Sequence, residues 1–92
     1  MNSYDFENRV AIVTGGGQGI GHTVAKRILE SGGTVSIWDV DQALLDDLGD
    51  SLGRDTDNIQ ALNVDISDLE GVRAATQSVI KNFGKIDVLI NN

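Results

Sequence analysis

The chain has 92 residues, with 14 Asp and Glu against 7 Lys and Arg, one His, 11 Gly, and neither Pro nor Cys. That length accommodates one small domain, and the missing cysteine excludes disulfides, thiolate zinc sites and a cysteine nucleophile. A formal net charge of −7 opposes nucleic-acid binding, which needs Lys and Arg to displace phosphate counterions.

The N-terminus, Met1 to Glu7, carries acid where a signal peptide carries base and then an apolar stretch. No apolar run approaches the ~20 residues that span a bilayer, so the expectation is a soluble, cytoplasmic protein without membrane contact. Val10-Ala11-Ile12-Val13, β-branched at three of its four positions, reads as a strand buried on both faces and ended by Thr14 and glycines. Ile20, Val24, Ala25, Ile28 and Leu29 follow at helical spacing, with Gly32-Gly33 as the stop. Thr34 to Trp38 is a second strand ending at Asp39. A second helix carries Leu44, Leu45, Leu48 and Leu52 on one face and ends at Gly53. Ile59 to Val64 gives a third strand ending at Asp65. Ser67-Asp68-Leu69-Glu70 matches a capping box, and Leu69, Val72, Ala75, Val79, Ile80 and Phe83 continue that helix to Gly84. Val88-Leu89-Ile90 is a fourth strand, followed by Asn91-Asn92.

The order is βαβαβαβ, with no repeat or linker. Such alternation implies an α/β fold with parallel strands and right-handed helical crossovers. The first two helices then cover one face of the sheet and the third covers the other. Ligands of open α/β sheets bind beyond the carboxyl ends of the strands. Here those ends carry Gly15–Gly21, Asp39, Asp65 and Asn91-Asn92.

Five of the 11 glycines fall between Gly15 and Gly21, at the first strand–helix junction. Glycines let backbone approach a phosphate, and a helix N-terminus offers free amides and a positive dipole end. Gly21, in the first helical turn, allows close packing of that helix. Three nucleotide chemistries compete for this loop. Gly16-x-x-x-x-Gly21-His22-Thr23 approximates a nucleoside-triphosphate loop, but His22 stands where an ammonium must reach the phosphates, and that reading fails. Gly15-x-Gly17-x-Gly19 resembles the loop of S-adenosylmethionine-dependent methyltransferases, which carry an acid at the preceding strand end where this chain has Val13 and Thr14. Methyl transfer is therefore the runner-up. The third reading is a dinucleotide site, although the generic Gly-x-Gly-x-x-Gly spacing does not fit.

Thr14-Gly15-x-x-x-Gly19-Ile20-Gly21 resembles the cofactor motif of the short-chain dehydrogenase/reductase family. The resemblance extends to Asp39, to Asp65-Ile66 and to Asn91-Asn92, which looks like the opening of an Asn-Asn-Ala-Gly motif. It implies a Rossmann-type, doubly wound parallel sheet and an oxidoreductase moving hydride between NAD and a secondary alcohol or ketone, similar to 3-oxoacyl reductases among others. It also implies roles. Backbone from Gly15 through Gly17 and Gly19 to Ile20 faces the pyrophosphate and ribose, and the Gln18 and Ile20 side chains reach the cofactor. Asp39 lies 18 residues beyond Gly21, close to the ~20 expected of the acid that accepts the ribose hydroxyls of NAD. A 2′-phosphate there meets like charge, and no Arg or Lys lies between Asp39 and Asp50. Gln18 stands where NADP-preferring relatives often place a base, so NAD is expected over NADP. Asp65 and Ile66 are expected at the adenine, by hydrogen bonding and packing, with capping of the next helix as the alternative for Asp65. Asn92, with Asn91, lines the cofactor and ties the fourth strand to its neighbours.

Ten acids and one base lie between Asp39 and Glu70; most read as solvated surface. His22 reads as solvent-facing and Trp38 as strand packing. Tyr4, the single tyrosine, has Asn8 where the family's Tyr-x-x-x-Lys motif has its lysine, so it is not the catalytic acid. The family's Ser, Tyr and Lys follow its Asn-Asn motif. Residues 1–92 are therefore expected to be the cofactor-binding half of a longer, homo-oligomeric enzyme, with no catalytic or metal-binding residue of their own, an unpaired fourth strand and marginal stability alone. The other expectation kept is a nucleotide-binding module without catalysis.

Overall fold

Val10 to Thr14 form β1, and all five residues are buried, as a β-branched run covered on both faces should be. The computed structural model describes residues 7–48, 52 and 56–92; Tyr4 and the expected helix end at Gly53 lie outside them. Along the chain, β1 is followed by α1 (Gly19–Glu30), β2 (Thr34–Asp39), α2 (Gln42–Asp46), β3 (Ile59–Asn63), α3 (Leu69–Phe83) and β4 (Val88–Asn91). A short 3-10 turn, Thr56–Asn58, leads into β3.

The four strands form one sheet in the order β3-β2-β1-β4. Every neighbouring pair is parallel, with Ala11 opposite both Val35 and Val88. The expected α/β alternation with a Rossmann-like sheet is therefore present. Two apolar layers flank it. Ala25 and Ile28 of α1, with Leu45, Leu48 and Leu52, pack on Ala11, Val13, Val35 and Ile37. On the opposite face Ala75 and Val79 of α3 pack on Val10, Ile12 and Trp38. The first two helices thus share one face and the third takes the other, the result of three right-handed crossovers that reverse direction once.

Helix ends follow local chemistry. After Glu30 the chain turns at Gly32, whose φ is +89°, with the Gly33 amide donating to the Ile28 carbonyl at 2.9 Å. Gly84, at φ +86°, closes α3. Three expectations need correction. The leucine-bearing helix does not run unbroken toward Gly53: α2 ends at Asp46, with Asp47 as its C-cap. The capping box at Ser67–Glu70 does not form: α3 has Asp68 at its N-cap and no side-chain cap hydrogen bond. Ser67 instead donates its hydroxyl at 2.6 Å and its amide at 2.9 Å to Asp65 Oδ1, a tight Asx turn that competes with the cap. Leu44 also leaves the leucine face. Leu45, Leu48 and Leu52 are in the core, whereas Leu44 is only half-buried beside the glycine loop.

Trp38 is buried in the second layer, as expected. Its Nε1–H donates to Ser36 Oγ at 3.0 Å, Ser36 donates to Gln60 Oε1 at 2.7 Å, and Gln60 Nε2 donates to Ser78 Oγ at 3.1 Å. The chain of bonds runs from β2 across β3 to α3. Ser36 can therefore be fully buried without an unsatisfied polar group.

Candidate functional site

The strand order reverses beside β1, because β2 and β3 lie on one side of it and β4 on the other. The crevice at such a reversal, beyond the carboxyl ends of the strands, is where α/β sheets bind ligands. Two segments meet there. The Gly15 amide continues the ladder to the Trp38 carbonyl at 2.7 Å, and the Asn92 side-chain amide donates to the Gly15 carbonyl at 3.3 Å.

Thr14 fastens the floor of this crevice. Its hydroxyl donates to Asn91 Oδ1 at 2.9 Å and accepts from the Asn92 amide at 3.1 Å. Asn91 therefore ties β4 to β1, while Asn92 reaches into the crevice. The glycine loop crosses above. Gly19 adopts φ +66°, the left-handed region that favours glycine. Gly21 admits no side chain, because a Cβ there would lie 2.5 Å from the Gly15 carbonyl oxygen and 3.0 Å from Asn92 Nδ2. The close approach that Gly21 permits is thus of α1 onto the loop and Asn92. The N-cap of α1 is Gln18, which makes no side-chain cap hydrogen bond, and no acid occupies the first turn. Its amides therefore keep their affinity for an anion.

Asp39, half-buried at the end of β2, is held by backbone on both sides. Oδ2 accepts from the Gly17 amide at 3.1 Å and Oδ1 from the Asp41 amide at 3.0 Å. A Cβ on Gly17 would come within 2.8 Å of both Asp39 Oδ2 and Leu44 Cβ. Each carboxylate oxygen uses one lone pair in this way, which leaves acceptor capacity toward the crevice.

Gly15, Gln18, Gly19, Ile20, Asp39, Asp41, Leu44 and Asn92 line one cleft of about 510 Å³. Six of the residues expected at a cofactor meet in it. Ile20 stands at its rim, 75% exposed. Gly17 contributes from behind, through the bond to Asp39. Asp65 and Ile66 do not line the cleft. They follow β3, the outermost strand, Asp65 turns its carboxylate onto Ser67, and Ile66 is 56% exposed. The Ser67 hydroxyl and amide hold the Asp65 carboxyl below its ordinary range, against a small opposing effect of burial. His22 is half-buried rather than solvent-facing, in a smaller recess of about 260 Å³ shared with Gly17, Leu44 and Asp47.

Sequence reasoning missed three participants. Asp41 caps α2, its Oδ1 accepting from the Ala43 amide at 3.1 Å and the Leu44 amide at 3.3 Å. An Asp just before a helical leucine pattern was a legible cap signal. Helical spacing groups Leu44 on one face with Leu45, Leu48 and Leu52 and gives no sign that it turns to the glycine loop. The role of Thr14 depends on β4 lying beside β1, which no local pattern reveals.

A glycine-rich strand–helix turn at the reversal of a parallel sheet, with an acid at the next strand end, defines a Rossmann-type nucleotide-binding unit. A family model described as short chain dehydrogenase matches residues 9–92, and the chain belongs to that family, of which it forms the N-terminal part. It is 40% identical over 88 residues to a 2-dehydro-3-deoxy-L-rhamnonate dehydrogenase (NAD(+)) of Sphingomonas, covering 92% of this chain and 32% of that protein. Among solved structures, a 3-ketoacyl-(acyl-carrier-protein) reductase of Brucella melitensis complexed with NADH superposes with a TM-score of 0.82 at 37% identity, covering 91% of this chain and 34% of that one. The C-domain of a bacterial malonyl-CoA reductase with NADP gives 0.84 at 33% identity, covering 96% and 15%. The chain spans about a third of the length of the curated relatives it matches. Among the described residues no helix is long and apolar enough to cross a membrane.

Proposed function

We propose that residues 1–92 hold NAD(H) for an oxidoreductase that moves hydride between NAD and a secondary alcohol or ketone. One observation carries the reading: the Asp39 carboxylate is fixed by the Gly17 and Asp41 amides at the wall of the cleft formed by the glycine loop and Asn92. When bound, the cofactor supplies or accepts the hydride. The pyrophosphate suits the uncapped N-terminus of α1 and the loop from Gly15 to Ile20, where glycines leave no side chain in the way. Gln18 and Ile20 would flank it, and Asn92 would hold Gly15 and the adjoining ribose. Asp39 would accept hydrogen bonds from the two ribose hydroxyls.

NAD is favoured over NADP because a 2′-phosphate would stand against the Asp39 charge at close range. Relatives solved with NADH and with NADP both occur in the family, so the preference rests on this chain's own acid. Asp65 and Ile66 would reach the adenine from the outer strand, and the Asx turn keeps one Asp65 oxygen occupied. Proton transfer to the substrate belongs to the family's Ser and Tyr-x-x-x-Lys set, and the single tyrosine here lacks that spacing. A cytoplasmic, homo-oligomeric enzyme acting on a small-molecule substrate is part of the same proposal. The family match leaves the methyl-transfer reading without support.

Asp39→Ala in the intact protein tests this. Losing charge-assisted hydrogen bonds to two hydroxyls should weaken NADH binding about tenfold or more and narrow the gap to NADPH. Unchanged affinity and preference in titrations with both cofactors would sink the reading. Binding retained without turnover on any alcohol or ketone would favour the non-catalytic module.

A further inference from the structure

A loop rich in glycine has few side chains with which to hold itself in place, so its position over the cleft comes from its neighbours. Gly15 is fixed to the sheet by its amide on the Trp38 carbonyl and by the Asn92 side chain on its own carbonyl. Gly16 lies tight against β1 and β2, since a Cβ there would come within 2.8 Å of Ile37 Cγ2 and 3.3 Å of Val13 Cγ1. At Gly19 a Cβ would meet open space. Gly17 is therefore the last loop glycine in contact with a neighbouring element. Its amide holds Asp39 Oδ2 at 3.1 Å, and a Cβ on it would lie 2.8 Å from Leu44 Cβ and 3.2 Å from Leu44 Cδ1. Leu44 is half-buried and outside the core cluster. With Gln18 and Gly19 it lines both the cleft and the recess that holds His22, and in the recess it is the single apolar side chain. The loop thus stands between two openings, with Leu44 as its apolar support on the α2 side.

We propose that Leu44 is a positioning residue, which props the glycine loop at Gly17 so that the loop amides and the N-terminus of α1 stay aimed at the cofactor's pyrophosphate. The inference rests on the NAD reading above and deepens it by assigning the alignment of the loop to a side chain of α2. Removing the end of the leucine takes away dispersion contacts with Gly17 and leaves the loop room to settle towards the recess. Asp39 keeps its second bond, from the Asp41 amide, so its hold on the ribose hydroxyls survives. The loss falls on the phosphates and spares the nucleoside.

Leu44→Ala in the intact protein tests this split. Dissociation constants for NADH are measured by cofactor fluorescence, and ADP and adenosine are titrated as competitors of bound NADH. The expected result is NADH and ADP each weakened about threefold to tenfold, the scale of one misaligned hydrogen bond, with adenosine unchanged. Leu44→Met, of similar volume, should restore wild-type values. Leu44→Val should give a smaller loss of the same pattern, and it replaces the Ala variant if that one does not fold. A purely structural Leu44 would lower the urea midpoint and leave all three ligands at wild-type affinity, which overturns the inference. Adenosine weakened as much as ADP also overturns it, because Leu44 then acts on the nucleoside rather than on the loop. Asp39→Ala, which should weaken adenosine along with NADH, marks the separate reading. If Asp39→Ala weakens NADH and Leu44→Ala does not, this inference alone fails. If Asp39→Ala changes neither ligand, the NAD reading fails and this inference with it.

Discussion

At the scale of single residues, the site is built from positions where a side chain is absent or a carboxylate is held. Gly21 is the strictest of them, since a Cβ would overlap the Gly15 carbonyl at 2.5 Å and crowd Asn92. Both obstacles belong to the floor of the cleft, one of them backbone, so neither can step aside cheaply. Gly21→Ala should cost about 1–3 kcal/mol of stability, the usual penalty of overpacking, and should weaken NADH binding as the loop is pushed away. Urea unfolding and a cofactor titration would check the two effects; wild-type values in both would refute them. Gly21 was legible as a close-packing glycine from its place in the motif. Its contact partner was not, because Asn92 lies far along the chain and meets it only through the pairing of β4 with β1.

At the scale of elements, sheet and helix are locked by polar groups as well as by the apolar layers. Ser36 is the centre of the second layer's hydrogen-bond chain, accepting from Trp38 and donating to Gln60. Ser36→Ala strands the buried Trp38 N–H and a half-buried Gln60 oxygen, and should cost about 1–3 kcal/mol. Trp38 is the single tryptophan, so its fluorescence during urea unfolding reports on the layer directly; an unshifted midpoint would remove this network from the account of stability. Strands and helices were legible almost throughout, because continuous β-branched runs and 3.6-residue apolar spacing are local signals. The misses are local contests decided elsewhere. Ser67 is taken by Asp65 rather than by the helix amides, and Leu44 is drawn to the glycine loop because α2 starts at the Asp41 cap.

Across the whole molecule, the −7 net charge sits beside two carboxylates that folding stabilises in the charged form. The Val10 amide, at 2.9 Å, holds the Asp87 carboxyl below its ordinary value; partial burial opposes this, and Lys85 adds to it. Asp65 is lowered by Ser67 in the same direction. Folded values below the unfolded ones mean that both groups contribute fully above the ordinary Asp value near 3.8. The contribution is lost as pH falls through the folded values. Urea midpoints should therefore decline on acidification below about pH 4, and Asp87→Asn should show a shallower decline than the wild type. Parallel pH profiles for the two proteins would contradict this. Asp87 also fixes the entry to β4, since its amide donates to the Val10 carbonyl at 2.8 Å.

The α/β order, the glycine-rich anion loop and the acid at the end of the second strand are legible before any strand is paired. Each of these is carried by residues adjacent along the chain. The tertiary structure alone decided that β4 returns beside β1, which brings Asn92 onto Gly15 and makes Thr14 the knot between them. It also decided that Asp41 and Leu44 join the cleft while Asp65 and Ile66 stay outside its lining. The physical reason is common to all of these. Strand order and helix register are set by burying two apolar layers against one sheet, and residues far apart in sequence meet only once that burial is complete.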